Sequence, residues 1–126
     1  MTNYVNMENK TCIFGYGGIA VDVVAQSVIF QEIKPPMGAG TKIWETDGTK
    51  IGDWEFTGNK LCLRFGTLDE IRDICIMLTK IEKKQSGSFK FKDITFDFEM
   101  YKQESMDIIK HAMVLVTRNL TYLMAC

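Results

Sequence analysis

The last quarter of the sequence carries the apolar pattern that most restricts the fold. Its apolar residues recur at alternating steps of three and four positions: Met106, Ile109, Met113, Val116, Leu120 and Leu123. Such spacing places side chains along one stripe of an α-helix. We therefore predict a long amphipathic helix from about Lys102 or Gln103 to Met124.

The same segment carries a second apolar stripe, formed by Ile108, Ala112 and Leu115. A helix that is apolar on two faces must bury both of them. One face is expected to lie on the protein's own sheet, and the other is covered either by a second helix of this chain or by another subunit. The pattern favours a homodimer or higher homo-oligomer through the C-terminal helix, with a monomer as the alternative.

A second, shorter helix is predicted in the middle of the chain. Thr67 and Glu70 have the spacing of a capping box, in which each side chain bonds the other residue's backbone amide. The apolar residues that follow have helical spacing: Leu68, Ile71, Ile74, Cys75, Leu78 and Ile81. Lysines at the end suit the negative pole of the helix, which is expected to end at Ser86-Gly87.

The rest of the chain reads as strands separated by turns. Gly17-Gly18 predicts a hairpin, a bend is expected near Ala25-Gln26, and Asp47-Gly48 and Gly58-Asn59 predict two further turns. The apolar phase shifts at Lys92-Asp93, which indicates either a tight hairpin or a bulge.

The order of these elements is strands, helix, hairpin, helix, which is typical of α+β proteins. We predict an antiparallel β-meander sheet with two amphipathic helices, the long C-terminal one at an oligomer interface. The length of 126 residues suits one domain, predicted at 11–126 after a flexible N-terminus at 1–10.

Composition excludes several classes of function. The net charge of -1 argues against sequence-independent binding of nucleic acid, which needs a surplus of cations. The polar start shows no signal peptide, and no apolar run is long enough to span a membrane. The cysteines form no C-x-x-C pair, so no metal or cofactor is expected; Cys62 and Cys75 are predicted core residues in a cytoplasmic protein.

Residues 15–20 match the dinucleotide fingerprint G-x-G-x-x-A. That motif requires a helix at its last glycines, whereas β-branched residues follow here and favour a strand. A hairpin is the default interpretation, and a turn whose amides face a ligand phosphate, with Tyr16 beside it, stays open.

Catalytic residues are few. His111 is the only histidine, and no serine has the surroundings of a hydrolase nucleophile. We therefore predict a protein that binds a ligand or partner and is not an enzyme.

The candidate binding residues lie mainly on the final helix. Arg118 and Tyr122 are four positions apart and hence neighbours, with Asn119 between them and His111 two turns earlier. Arginine beside tyrosine suits a phosphate and a purine, although a satisfied helix surface is the alternative. Phe89 and Phe91 supply either an aromatic wall or core packing.

In size and element order the chain resembles the phage anti-Thoeris sponge proteins of the first described type. The resemblance covers most of residues 11–126 and includes Glu-Ile-Lys-Pro-Pro at 32–36 and Thr-Lys-Ile-Trp-Glu-Thr-Asp-Gly at 41–48. It implies a non-enzymatic cytoplasmic protein of an infected host cell that sequesters cyclic ADP-ribose isomers made by bacterial TIR-domain enzymes. It also implies that Phe89 or Phe91 and Arg118, with Asn119 and Tyr122, form the ligand site at a subunit interface.

A second hypothesis is a protein–protein inhibitor or immunity-type module that acts through an exposed sheet face. Trp44 and Trp54 are its candidate anchors, because tryptophan is enriched among the residues that dominate interface energies.

Overall fold

The structure, a computed structural model, describes residues 3–36, the backbone of 42–44, and 54–125. Two sheets and two helices enclose one main apolar core. The elements in chain order are β1 (Val5–Asn6), β2 (Thr11–Ile13), β3 (Ile19–Val24), β4 (Ser27–Lys34), β5 (Lys42–Trp44), β6 (Glu55–Arg64), α1 (Leu68–Lys84), β7 (Gly87–Phe91), β8 (Ile94–Phe98) and α2 (Gln103–Met124). The predicted α+β class is confirmed.

The strands form two four-stranded sheets instead of one. Sheet 1 has the order β1-β2-β8-β7, and sheet 2 has the order β5-β3-β4-β6. Antiparallel pairing dominates, as predicted, but β2–β8 and β3–β5 are parallel. Each parallel pair joins strands that are separated by other elements, so turn signals between neighbouring strands do not reveal it.

The predicted hairpin at Gly17-Gly18 is wrong, because β2 and β3 belong to different sheets. The glycine-rich segment carries the chain from one sheet to the other. The hairpin lies one strand later: Val24 pairs with Ser27, so Ala25 and Gln26 form a two-residue turn. Ala25 takes a positive φ of 52° there. Alanine is a weak turn signal, which is why the sequence suggested only a bend.

Two other predicted turns have different outcomes. Gly58-Asn59 is not a turn but part of the continuous strand β6, where the register against β4 shifts between Gln31 and Ile33. At Lys92-Asp93 both residues have positive φ, and Phe91 pairs with Ile94, which confirms the tight hairpin. The predicted Asp47-Gly48 turn lies outside the described residues.

Helix α1 begins and ends close to its predicted positions. The capping box between Thr67 and Glu70 is present in both directions, so the first turn is stabilised as the spacing predicted. The helix ends at Lys84, and Gln85 follows in the left-handed conformation.

Helix α2 spans the predicted residues, and its apolar stripe faces the core. All members of the first stripe except Leu123 are buried. In the second stripe Ala112 is buried, and Ile108 and Leu115 are half-buried against the same core. The chain therefore covers both stripes itself, and the two-stripe pattern does not by itself require a second subunit. Val114, Tyr122, Leu123 and Met124 remain exposed.

The segment predicted as a flexible N-terminus joins the fold in its described part. Residues Val5 and Asn6 pair with β2, and Val5 is fully buried in the core. The backbone amides of Tyr4 and Val5 donate to the side chain of Glu32 on β4. The described residues of this segment thus contact both sheets.

The cysteine prediction is wrong for Cys62, which is exposed because it points outward between Leu61 and Leu63 on β6. Cys75 is only half-buried, and burial raises the pKa of its thiol. Cys12 has a fully buried thiol, and burial raises its pKa as well. The apolar neighbours of Cys62 did not distinguish the two faces of the strand.

One polar network joins the two helices, and it makes a testable contribution to stability. Lys110 on α2 donates to Glu82 on α1, and Gln103 donates to the same carboxylate at 2.8 Å. These hydrogen bonds hold the pKa of Glu82 below its usual range, and the bond from Lys110 has the largest effect. A lowered pKa means that the stabilisation is present above the pKa of the unfolded state and is lost as the pH falls through the folded value.

We expect Glu82→Gln to lower the free energy of unfolding at pH 7 by less than about 1 kcal/mol, because the two side chains remain 37% and 29% exposed and solvent screens the pair. The difference from wild type should shrink below about pH 4, where the carboxyl group becomes protonated. Urea unfolding at pH 7 and pH 3 measures this. The exposed Glu99→Gln is the control, and an equal effect of both variants at pH 7 would contradict the role of the network.

Candidate functional site

The C-terminal end of α2 and the β3–β4 turn form an open groove. It has a volume of about 450 Å³ and is lined by Ala25, Arg118, Asn119, Tyr122 and Leu123. Three of the predicted binding residues therefore meet in one place. They meet because positions 118, 119 and 122 lie within one turn of the helix on adjoining faces.

Asn119 fixes the wall of the groove. Its amide nitrogen donates to the backbone carbonyl oxygen of Ala25 at 2.9 Å. This bond ties the helix end to the two-residue turn of sheet 2. The groove is thus built between two regular elements, which restricts the positions of the residues beside it.

Arg118 supplies the positive charge of the groove. Its side chain is exposed, and no ion pair involves it among the described residues. Tyr122 follows one turn later and is 74% exposed. A planar cation beside an accessible phenol ring suits an anion attached to a flat, partly apolar group.

The described lining of the groove contains no pair of groups that suits acid–base or nucleophilic chemistry. Its described lining consists of one guanidinium, one amide, one phenol and two apolar side chains. Its amide already donates to a carbonyl. Such a lining can hold and orient a ligand, but it provides no base matched to neutral pH.

His111 does not line this groove. It lies on the exposed side of α2, two turns before Arg118. Its neighbour Lys110 is engaged with Glu82 on α1. Sharing one helix face therefore did not place His111 in the same concavity as Arg118.

The two phenylalanines predicted as ligand-binding residues lie away from the groove, in sheet 1. Phe89 stacks on Phe96 with ring centroids 5.1 Å apart, and Phe91 packs on Phe65 at 6.0 Å. Both are half-buried against the main core. Their main contacts are thus those of core packing, the alternative that the sequence left open for them.

Tyr16 also lies apart from the groove. It is half-buried, and its ring packs on Tyr4 at 5.3 Å. The glycines around it are buried, and the carbonyl of Gly18 accepts from the amide of Ile33 at 2.9 Å. A ligand phosphate has no access to a turn packed in this way.

Two lining residues, Ala25 and Leu123, are not among the binding residues predicted from the sequence. Leu123 could have been found, since it lies four positions after Asn119 on the helix. Ala25 had no signal of its own, because its role depends on the tertiary contact with Asn119.

Of the two candidate tryptophan anchors, Trp54 is only 2% exposed and packs on Phe56. It cannot serve as a surface anchor. Trp44 lies in β5, of which the structure describes only the backbone.

No protein-family model, curated protein or solved structure matches this chain. Within residues 3–36 and 54–125, no group of three or more side chains is placed to hold a metal ion. No helix in the described part of the chain is long and apolar enough to cross a membrane.

Proposed function

We propose that this chain binds and sequesters a cyclic ADP-ribose-type nucleotide in the groove at the end of α2, without catalysing a reaction. The observation that carries the proposal is the convergence of Arg118, Asn119 and Tyr122 on one concave surface. The resemblance to the anti-Thoeris sponges suggests the ligand class.

The chemistry of the groove suits such a ligand. The Arg118 guanidinium presents several N–H donors in a plane and can bind a phosphate through two parallel hydrogen bonds. The ring of Tyr122 offers a face for a purine, and Leu123 adds apolar surface. A ligand held only by these groups is retained and not transformed, which is what sequestration requires.

In a cell, such binding would lower the free concentration of a nucleotide signal. A bacterial TIR-dependent defence that relies on this signal would then fail to activate its effector. The proposed setting is the cytoplasm of a host cell infected by a phage.

The proposed assembly is a homodimer or higher homo-oligomer through the C-terminal helix. The groove is open, and the exposed side chains of Tyr122, Leu123 and Met124 lie beside it or directly after it on the helix. A second copy that covers these side chains would remove apolar surface from water and enclose the ligand.

The alternative function is inhibition of a protein partner through the outer face of sheet 2. One observation favours it: β6 is an edge strand with exposed outward side chains, among them Phe56 and Lys60. An edge strand offers unpaired backbone groups to a partner. Recovery of a macromolecular partner, with no stabilisation by any nucleotide, would support this alternative.

We expect Arg118→Ala to weaken binding of cyclic ADP-ribose isomers about tenfold or more, because a charged hydrogen bond typically contributes about 1.5–3 kcal/mol. Titration calorimetry measures the affinity, and thermal unfolding without ligand shows whether the fold is intact. Arg64→Ala removes another exposed arginine side chain, on β6, and is the matched control.

Two outcomes would overturn the proposal. An unchanged affinity of Arg118→Ala would exclude the groove as the site. Recovery of a cleaved product after denaturation, measured by mass spectrometry, would show that the protein is an enzyme and not a sponge.

A further inference from the structure

A second pocket lies at the C-terminal end of α1, where the helix meets β7. Its volume is about 330 Å³, and its lining includes Lys80, Lys84 and Lys90 together with Ile81 and Phe89. It shares no lining residue with the Arg118 groove. None of the functions considered above uses it.

The three lysines that line the pocket come from two adjoining elements. Lys80 and Lys84 are four positions apart on α1 and hence lie one above the other on the same face. Lys90 is on β7, the strand that starts three residues after the helix ends. No carboxylate lines the pocket, and no ion pair involves these three lysines among the described residues.

The floor of the pocket is apolar, and its shape depends on how closely β7 approaches α1. Gly87 has a φ of 129°, and a Cβ atom there would lie 2.8 Å from Cδ1 of Ile81. Glycine therefore allows β7 to start directly against the helix. Phe89 follows; it is half-buried, stacks on Phe96 and is one of the residues that line the pocket.

The position of the lysines in the helix explains only part of this arrangement. A cation at the end of a helix interacts favourably with its negative pole, which accounts for Lys84. It does not account for Lys90, which belongs to a strand. Three like charges around one small pocket repel each other, and a bound anion would relieve that repulsion. The pole carries only about half a negative charge, so the pocket remains attractive to anions.

We propose that this pocket binds a small molecule with two or more phosphates next to an apolar group, the chemistry of a nucleoside di- or triphosphate. The phosphates lie among the three ammonium groups, and the base lies on the exposed side of Phe89. Serine hydroxyls at Ser86 and Ser88, which also line the pocket, supply further donors to the phosphates. This site goes beyond the proposed function, since it is separate from the groove.

The test compares two double variants with the same change of charge. Lys80→Gln/Lys90→Gln removes two lysines from the pocket, and Lys60→Gln/Lys102→Gln removes two exposed lysines outside it. ATP in the presence of a chelator, tripolyphosphate and adenosine are the probes, with affinities from titration calorimetry. We expect the pocket variant to lose about tenfold or more in ATP affinity, and the control to change by about twofold or less.

Four results would overturn the proposal. One is no binding of ATP by the wild-type protein. Another is equal weakening in both double variants, which would indicate general charge attraction. Equal affinities for tripolyphosphate and ATP would exclude the base on Phe89. Loss of ATP binding in Arg118→Ala would place the nucleotide in the groove instead, whereas an unchanged affinity in that variant keeps the two sites distinct.

Discussion

Replacing Gly15 with alanine is expected to destabilise the domain by about 2–6 kcal/mol, a large part of the stability of a typical single domain. Gly15 has a φ of 111°, a conformation that side chains rarely adopt. A Cβ atom there would lie 1.8 Å from the carbonyl oxygen of Met100. Backbone strain and a steric clash with the main chain before α2 therefore add together.

Gly58→Ala separates these two costs. Gly58 also has a strongly positive φ, 93°, but a Cβ atom there would meet nothing within 4 Å. It should lose only the strain contribution, about 1–3 kcal/mol. Urea unfolding of both variants measures the difference. Equal losses would mean that the approach of Gly15 to Met100 does not limit packing.

This pair of variants also bears on the G-x-G-x-x-A motif. In the structure Gly15 is required by a contact with Met100, and a Cβ on Gly18 would lie 2.3 Å from the ring of Tyr4. The glycines thus allow close approaches to Met100 and Tyr4, and β3 follows them where a nucleotide fold needs a helix. Both contacts join residues that the sequence does not place together.

The parts of the fold that could be predicted depend on local signals. The α1 capping box and the spacing of Met106, Ile109 and Met113 involve residues within one or two helical turns. The division into two sheets depends on the parallel pairing of β2 with β8, which is distant in sequence. Gly58-Asn59 has turn chemistry, but β4 holds it in a strand through a shift of register.

The candidate site likewise has residues that the sequence groups correctly and residues that it does not. Arg118, Asn119 and Tyr122 could be grouped from helical spacing alone, and the groove brings them together. Tyr16 and Phe89 were included from their residue types, and the structure packs them against other aromatic rings. Residue type indicates what a side chain can do, but only tertiary contacts determine which other groups it meets.

Glu32 is the residue whose importance was least visible in the sequence. It is fully buried on β4. One carboxylate oxygen accepts hydrogen bonds from the backbone amides of Tyr4 and Val5. The other accepts from Thr57 Oγ1 at 3.0 Å and Asn59 Nδ2 at 3.1 Å. Glu32 thus joins the N-terminal segment to the irregular part of β6, and all four of its partners are donors.

We expect Glu32→Gln to destabilise the protein by about 2–5 kcal/mol, although it preserves the size of the side chain. Glutamine replaces one acceptor oxygen by an NH₂ group and removes the negative charge that strengthens all four bonds. Against Tyr4 and Val5 the NH₂ group would face two backbone donors. Against Thr57 and Asn59 it needs the hydroxyl to rotate or the Asn59 amide to flip before either can accept. Each buried donor left without an acceptor costs about 1–3 kcal/mol. Chemical unfolding measures the loss, with the exposed Glu55→Gln as the matched control.

The position of the loss provides a sharper test than its size. If the amide of the new side chain faces Tyr4 and Val5, β1 loses its attachment to sheet 2 and those backbone amides exchange with solvent faster. If it faces Thr57 and Asn59, the increase appears in β6 around Gly58 instead. Hydrogen exchange resolved by residue distinguishes the two orientations. If exchange instead rises equally at every amide, as the loss of global stability alone would produce, Glu32 stabilises the whole core and is not a local link between β1 and β6.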